Sequence, residues 1–471
     1  MEPRNSNIFS HIGANSFFPA RRSFLLRYFL FVWGVLAVFI NSNDTYSFNL
    51  QQMGIESLVE RGRIYLEGSK SPYLQPMGDT FRYQGHVYAA KQPGQFFIGS
   101  IPYFFLNKLG LTYLKDYLLT GALVTFFTSS FMVALIVMMV FITILQLTHS
   151  SGGAIAVSLF TGFGTILFPY SGVTHHDIYG AFFAFLCFFL LFMRYRTKTR
   201  SARFLIPFAG FIASFTLFSS LLPLAVILIC GFYVFLFRQK RDIFLFALFF
   251  LLGLVPLIGF NWIVFNHPMN FPNVVGHFSD TMPHLSILNI LKKFRFYLLS
   301  PSNSIFFYSP IVLWALIGFR AFPKKYSIER ILIPSCFVLM LCHLSTMQTV
   351  GDSQFGPRYL IPLMPLIMLG AGGFYMESWS KAGNTPARYR LVKAAVIITG
   401  IFSVIICTVG AMNTVMYHTI NTHAILVFIP NILRWDLPQF PLAYLGAAMI
   451  LLSGALHFFD KDSAKIRNDL P

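Results

Sequence analysis

Apolar runs close to the length of a bilayer crossing recur from Phe24 to Phe458, and a soluble globule cannot bury that much continuous hydrocarbon. With 56% of its 471 residues hydrophobic and only 11% charged, the chain reads as an all-α polytopic membrane protein. A transmembrane barrel would need apolar and polar residues in alternation, which these runs lack. The pattern predicts about twelve transmembrane helices, near 24–40, 117–147, 152–170, 178–193, 204–218, 221–237, 243–265, 305–321, 331–348, 359–376, 392–413 and 440–458. One further apolar piece, Phe96 to Leu106, is too short to cross and is expected in the interface or as a re-entrant helix.

The net charge of +18 is partitioned along this pattern. With the amino terminus inside, most of the 35 lysines and arginines fall on inner segments, and most of the rest fall in one long first loop where the positive-inside rule is weak. Both termini are then cytoplasmic and the first loop faces out. The charge is a topology signal, which removes the case for nucleic acid as a partner. The expected organisation is a single integral membrane domain over 1–471. It has a cytoplasmic segment 1–23, an outer loop 41–116 carrying juxtamembrane helices, and a cytoplasmic tail 459–471. No small-residue cleavage site follows the first helix, so it is expected to stay as an anchor. The five cysteines lie in apolar segments without metal spacing and read as packing residues.

The unusual sequence is on the outer side. The polar stretch Asn41 to Gln95 places Asp44 where the first helix leaves the membrane. After it, residues 46–63 are expected to form a helix lying on the membrane, with Ile55, Leu58 and Val59 on one side and Glu56, Glu60 and Arg63 on another. The alternation around Gly85 in 81–88 predicts a small hairpin. Asp44 can serve as a helix cap, as a proton acceptor, or as both. Lys91 can be a snorkelling interfacial lysine or an anion ligand. Arg358 can be an outer-surface arginine paired with Asp352 or part of a site. His175, His176 and Asp177 could suggest a metal. Without a third ligand at recognisable spacing, hydrogen bonding and helix capping are the better reading, and no metal or other cofactor is expected.

Asp44 after the first helix, a long outer loop ending at Lys91-Gln92-Pro93, and the late Gly356-Pro357-Arg358-Tyr359 resemble the membrane glycosyltransferases of the GT-C class. Within it the chain is similar to the bacterial protein mannosyltransferase and aminoarabinose transferase branch, a likeness that includes Asn266-His-Pro-Met-Asn-Phe and Tyr308-Ser-Pro310. The resemblance implies a sugar donor on a polyprenyl phosphate, a lipid, glycan or protein acceptor, and a site on the extracytoplasmic face of the plasma (inner) membrane. It implies Asp44 as general base and Lys91, less firmly Arg358, on the donor phosphate. The family's acidic residue before the lysine is Ala90 here, so any role of that carboxylate is in doubt.

A phosphate is already a good leaving group, so neutralising its charge can replace a general acid, and one carboxylate suffices for the acceptor hydroxyl. A single displacement inverts the anomeric centre. Tyr46, Arg82, Gln92, His175, His176, Asp177, Arg295, Asp352 and Tyr359 complete the expected pocket. Two rivals stand: a twelve-helix transporter, which would show mid-membrane charges and two halves of similar hydropathy, and a non-catalytic polyprenyl-lipid-binding protein.

Overall fold

A computed structural model describes residues 22–41, 46–75, 78–197, 204–272, 275, 286–347, 351, 354–376, 386–415 and 422–468. Helices dominate, and the described strands form one two-stranded antiparallel hairpin. Five helical stretches are long and apolar enough to cross a membrane: Tyr117–Thr148, His176–Arg196, Lys240–Phe265, Lys324–Ser345 and Arg390–Ala411. Shorter apolar helices stand at most of the other expected spans, so the chain is a helical membrane protein, and among the described residues five of its helices reach full crossing length.

In chain order, α1 (Arg22–Val38) is followed by α2 (Tyr46–Glu56), which runs into a π-helical turn Ser57–Arg61. The hairpin β1 (Thr80–Tyr83) and β2 (His86–Ala89) pairs Thr80 with Ala89 and Tyr83 with His86. Its turn, Gln84-Gly85, takes positive φ at both positions, which is what a two-residue primed turn requires and glycine supplies. Next come α3 (Gly94–Lys108), α4 (Tyr117–Thr125), a π turn Phe126–Ser130, and α5 (Phe131–Thr148). They lead to α6 (Ser151–Phe163), α7 (Leu167–Ser171) and α8 (His176–Arg196). The half closes with α9 (Leu205–Ser219), α10 (Leu224–Leu236), α11 (Lys240–Gly253) and α12 (Val255–Phe265).

Beyond these lie α13 (Ile287–Leu299), α14 (Ile305–Tyr308), α15 (Ile311–Gly318) and α16 (Ser327–Ser345). The expected span 359–376 is different in kind. Two 3-10 stretches, Arg358–Leu363 and Leu369–Tyr375, flank a single α turn, α17 (Met364–Met368). Pro362 and Pro365 remove donors from an α ladder. Gly370 lies so close to α15 that an added Cβ would come within 2.0 Å of Ala315 O. The last helices are α18 (Pro386–Ala411), α19 (Ala424–Leu433), which the hydropathy pattern did not predict, and α20 (Ala443–Asn468).

The first outer loop also departs from expectation. The helix on its exposed apolar surface is α3, where Phe97, Ile101, Phe104 and Phe105 stand out, matching an interfacial helix. α2 is instead buried: Ile55 packs where a Cβ on Gly99 would sit, and Phe96 where one on Gly54 would. Its polar side chains turn inward because each has a partner. Tyr117 OH donates to Asn49 and Tyr113 OH to Gln52, and on the π turn beyond the helix Tyr103 OH donates to the exposed Glu60. Burial pushes the Tyr103 hydroxyl up, and the Glu60 carboxylate beside it adds to the shift, which keeps that hydroxyl a donor.

At the opposite end, α8, α10 and α16 are locked by a buried pair. Arg196 donates to Glu329 through Nε and Nη2, both at 2.6 Å, and Tyr233 OH donates to the same carboxylate at 2.5 Å. Glu329→Ala leaves Arg196 without its counter-charge and should cost about 3–5 kcal/mol, lowering the thermal midpoint of the purified protein. Replacing both residues by methionine should cost less than that single change; an equal or larger loss would mean the network, and not the stranded charge, carries the effect.

Candidate active site

The α1 end, the hairpin, the loop into α8 and the turn before Arg358 bring the site together. Asn41 N–H, at the foot of α1, donates to Gly172 O at 3.0 Å, tying the start of the first loop to the segment before His175. The π turn between α4 and α5 presents Ser129 Oγ to His175 N–H at 3.3 Å. Such turns widen a helix and often mark functional positions. α2 lies across the same segment: Gln52 Nε2 donates to Thr174 Oγ1 at 2.9 Å, and Gln51 Nε2 is 3.3 Å from His176 Nδ1.

His175 caps α8, its Nδ1 accepting from Asp177 N–H at 3.2 Å. His175 is fully buried, and that burial, reinforced by the positive charges of Arg358 and Lys91, holds its imidazole well below the ordinary value, so it is neutral. Asp177, 1% exposed, has His176 Nε2 at 3.3 Å, His175 Nδ1 at 3.6 Å and Arg358 at 4.0 Å. Arg358 is delivered by a turn in which Gly356 has φ +67°, and its guanidinium stacks 4.8 Å from the Tyr359 ring centroid. Burial opposes its charge, but Tyr359, Asp177, Tyr170 and Asp79 around it more than restore it.

Lys91 pairs with Asp79 at 3.0 Å. Hairpin register explains the pair: Thr80 faces Ala89, and Ala90 N–H donates to Asp79 O at 2.6 Å. Asp79 was not singled out from sequence, although the Gln84-Gly85 turn fixes that register and points to it. It supplies a carboxylate beside the lysine from twelve positions upstream, where Ala90 cannot. Gln92 follows, 2% exposed, with neither side-chain polar atom bonded among the described residues.

Of the expected pocket, Lys91, Gln92, His175, His176, Asp177, Arg358 and Tyr359 are placed together or in direct sequence with those that are. Arg82 is exposed on β1 and Arg295 on α13, and neither has a described contact with the cluster. Tyr46 opens α2, but its side chain, like all of Asp44 and Asp352, lies outside the described residues.

Lys91 stands at the head of an apolar crevice lined by Leu58, Phe81, Phe96, Phe97, Phe260 and Phe265, narrowed to about 10 Å³. Through Ile64, Phe97 and Phe260 it adjoins a hollow of about 530 Å³ walled by Phe215, Phe218 and Ile263. The ligand atoms of His175, His176 and Asp177 lie within 4.8 Å of one another, close enough for a metal. Arg358 faces the Asp177 carboxylate, the charge of Lys91 reaches the same cluster, and His175 Nδ1 is already an acceptor for backbone, all of which disfavour a divalent cation there.

No protein-family profile matches the chain, and no curated protein matches it by sequence. Solved structures similar to it include two of one enzyme. One is ArnT from Cupriavidus metallidurans bound to undecaprenyl phosphate, 15% identical, with 92% of this chain and 76% of that one covered and a TM-score of 0.48. The other is the same enzyme in the apo state, 15% identical, with 91% and 75% covered and a TM-score of 0.48.

Proposed function

We propose that this protein is a membrane glycosyltransferase that moves a sugar from a polyprenyl-phosphate donor to an acceptor hydroxyl on the extracytoplasmic face of the plasma membrane. One observation carries the reading: Lys91, largely buried, stands at the head of an apolar crevice that opens toward the aromatics of α9 and α12, and its charge and that of a second largely buried cation, Arg358, act on the same buried His175 and Asp177. That pairing of charge with hydrocarbon matches a phosphate on a prenyl chain. The crevice must widen for the donor to enter, by parting Phe81 and Phe97 from Phe260.

Asp44 takes the acceptor proton as the acceptor oxygen attacks the anomeric carbon. The bond from that carbon to the phosphate oxygen breaks, and polyprenyl phosphate leaves with the electron pair. The proton ends on Asp44, the negative charge stays on the phosphate between Lys91 and Arg358, and the sugar is inverted. Asp44 follows Asn41 by three positions, and Asn41 is bonded to the segment that leads to Asp177.

The test is transfer by the purified protein in liposomes, offered a panel of polyprenyl-phosphate sugars, with cysteine labelling to fix the face. Ser69→Cys should react with an impermeant reagent added outside and Thr199→Cys only after permeabilisation. Labelling of both from one side, or no release of polyprenyl phosphate with any donor, would overturn the reading.

A further inference from the structure

Away from the candidate site, a hollow of about 830 Å³ lies between α9 and α11. Phe204, Phe208 and Phe211 form one wall at one-turn intervals, and Arg241, Leu245 and Phe249 form the other at four-residue steps. The two helices are in backbone contact at their centre, since a Cβ on Gly210 would lie 2.4 Å from Phe246 O. The aromatic side chains therefore flank the seam and border an open-sided groove beside it.

The hollow is polar at one end only. Arg241 stands at the start of α11, level with Phe204 at the start of α9, and the remaining lining continues apolar for two turns, about 12 Å. Arg241 has no hydrogen-bond or ion-pair partner among the described residues. Its neighbours Gln239 and Asp242 are both taken by Arg194, at 3.1 and 3.0 Å. A flat helix face accepts any acyl chain alike, whereas an apolar groove that ends at a guanidinium without a partner among the described residues selects by headgroup charge.

We propose that this hollow binds an anionic phospholipid, one acyl chain lying along Phe208, Phe211, Leu245 and Phe249 and the phosphate held by the Arg241 guanidinium. It is separate from the donor crevice. Phe218, which packs 5.7 Å from Phe97 beside Lys91, is at the other end of α9, roughly 20 Å from Phe204 along the helix.

The experiment uses the full chain, delipidated in neutral detergent and titrated with phosphatidylglycerol or phosphatidylcholine of identical acyl chains. Thermal midpoint and lipid retained in native mass spectrometry are both read. Phosphatidylglycerol should raise the midpoint more and be retained preferentially. Arg241→Gln should weaken its binding roughly tenfold and abolish the preference, while Arg238→Gln, outside the lining, keeps it. Equal response to the two lipids, or a preference that survives Arg241→Gln, overturns the proposal. So does an equal shift produced by inorganic phosphate alone, which would mark a site for a free anion. Because both readouts are taken on wild type first, a poorly folded variant leaves the headgroup comparison decisive.

Discussion

Lys91→Ala should lower kcat/KM for transfer by about 100- to 1,000-fold and weaken binding of polyprenyl phosphate in the same variant. The size follows from the surroundings. Lys91 is only 11% exposed and its charge reaches the buried His175, so little water is available to take over its role at the departing phosphate. Removing it also takes away the cation paired with Asp79, so that carboxylate adds repulsion of an incoming anion to the loss of attraction. Lys91→Arg keeps the charge and should recover part of both quantities. Asp79→Asn removes the competing carboxylate and should leave phosphate binding intact or tighter. If Lys91 is merely an interfacial lysine reaching for water, alanine there changes neither binding nor turnover, and a nearly wild-type variant would end its assignment.

The hairpin was legible because its signal is local: alternating side chains around a glycine whose turn demands positive φ. The helix α3 and its exposed apolar face were legible for a similar reason, since its apolar stretch is too short to cross and its phenylalanines recur at helical spacing. What escaped depended on partners far along the chain. α2 carries a helix pattern that fits a membrane surface equally well. Only Tyr113 and Tyr117, more than 60 residues downstream, turn its polar face inward by bonding Gln52 and Asn49. Hydropathy does not encode that choice. Asp79 is an intermediate case, readable from hairpin register but hidden by attention to the residue next to Lys91 in sequence.

The run 359–376 shows the limit of hydropathy from another side. Its residues are as apolar as a span requires, yet Pro362, Pro365 and a glycine-rich stretch packed against α15 produce 3-10 geometry. That geometry has a use. By ending a turn at Gly356 and starting directly at Arg358, the segment aims the guanidinium at Asp177 and Tyr359 instead of along a helix surface. The short motif pointed to Arg358. Pairing with Asp352 was one of two readings for it, and Asp352 lies outside the described residues; the described ion pair is with Asp177 on α8.

Two carboxylates now compete for the role of base, and one pair of substitutions separates them. Asp44→Asn keeps the size and the capping ability of the side chain while removing the proton acceptor, so it should cut kcat by about 100- to 10,000-fold with KM for the donor little changed. Asp177→Asn acts elsewhere. Asp177 is enclosed by two histidines and Arg358, and its charge holds the arginine that would meet the phosphate, so the amide should raise KM for the donor more than it lowers kcat. The opposite split, with kcat lost at Asp177 and preserved at Asp44, would move the base to α8 and leave Asp44 as a helix cap. Polyprenyl phosphate binding by Asp44→Asn sets the enzyme apart from a lipid-binding protein. The variant should bind as wild type does and fail to transfer, whereas a wild-type protein that binds the lipid and transfers nothing has no rate for either aspartate to change.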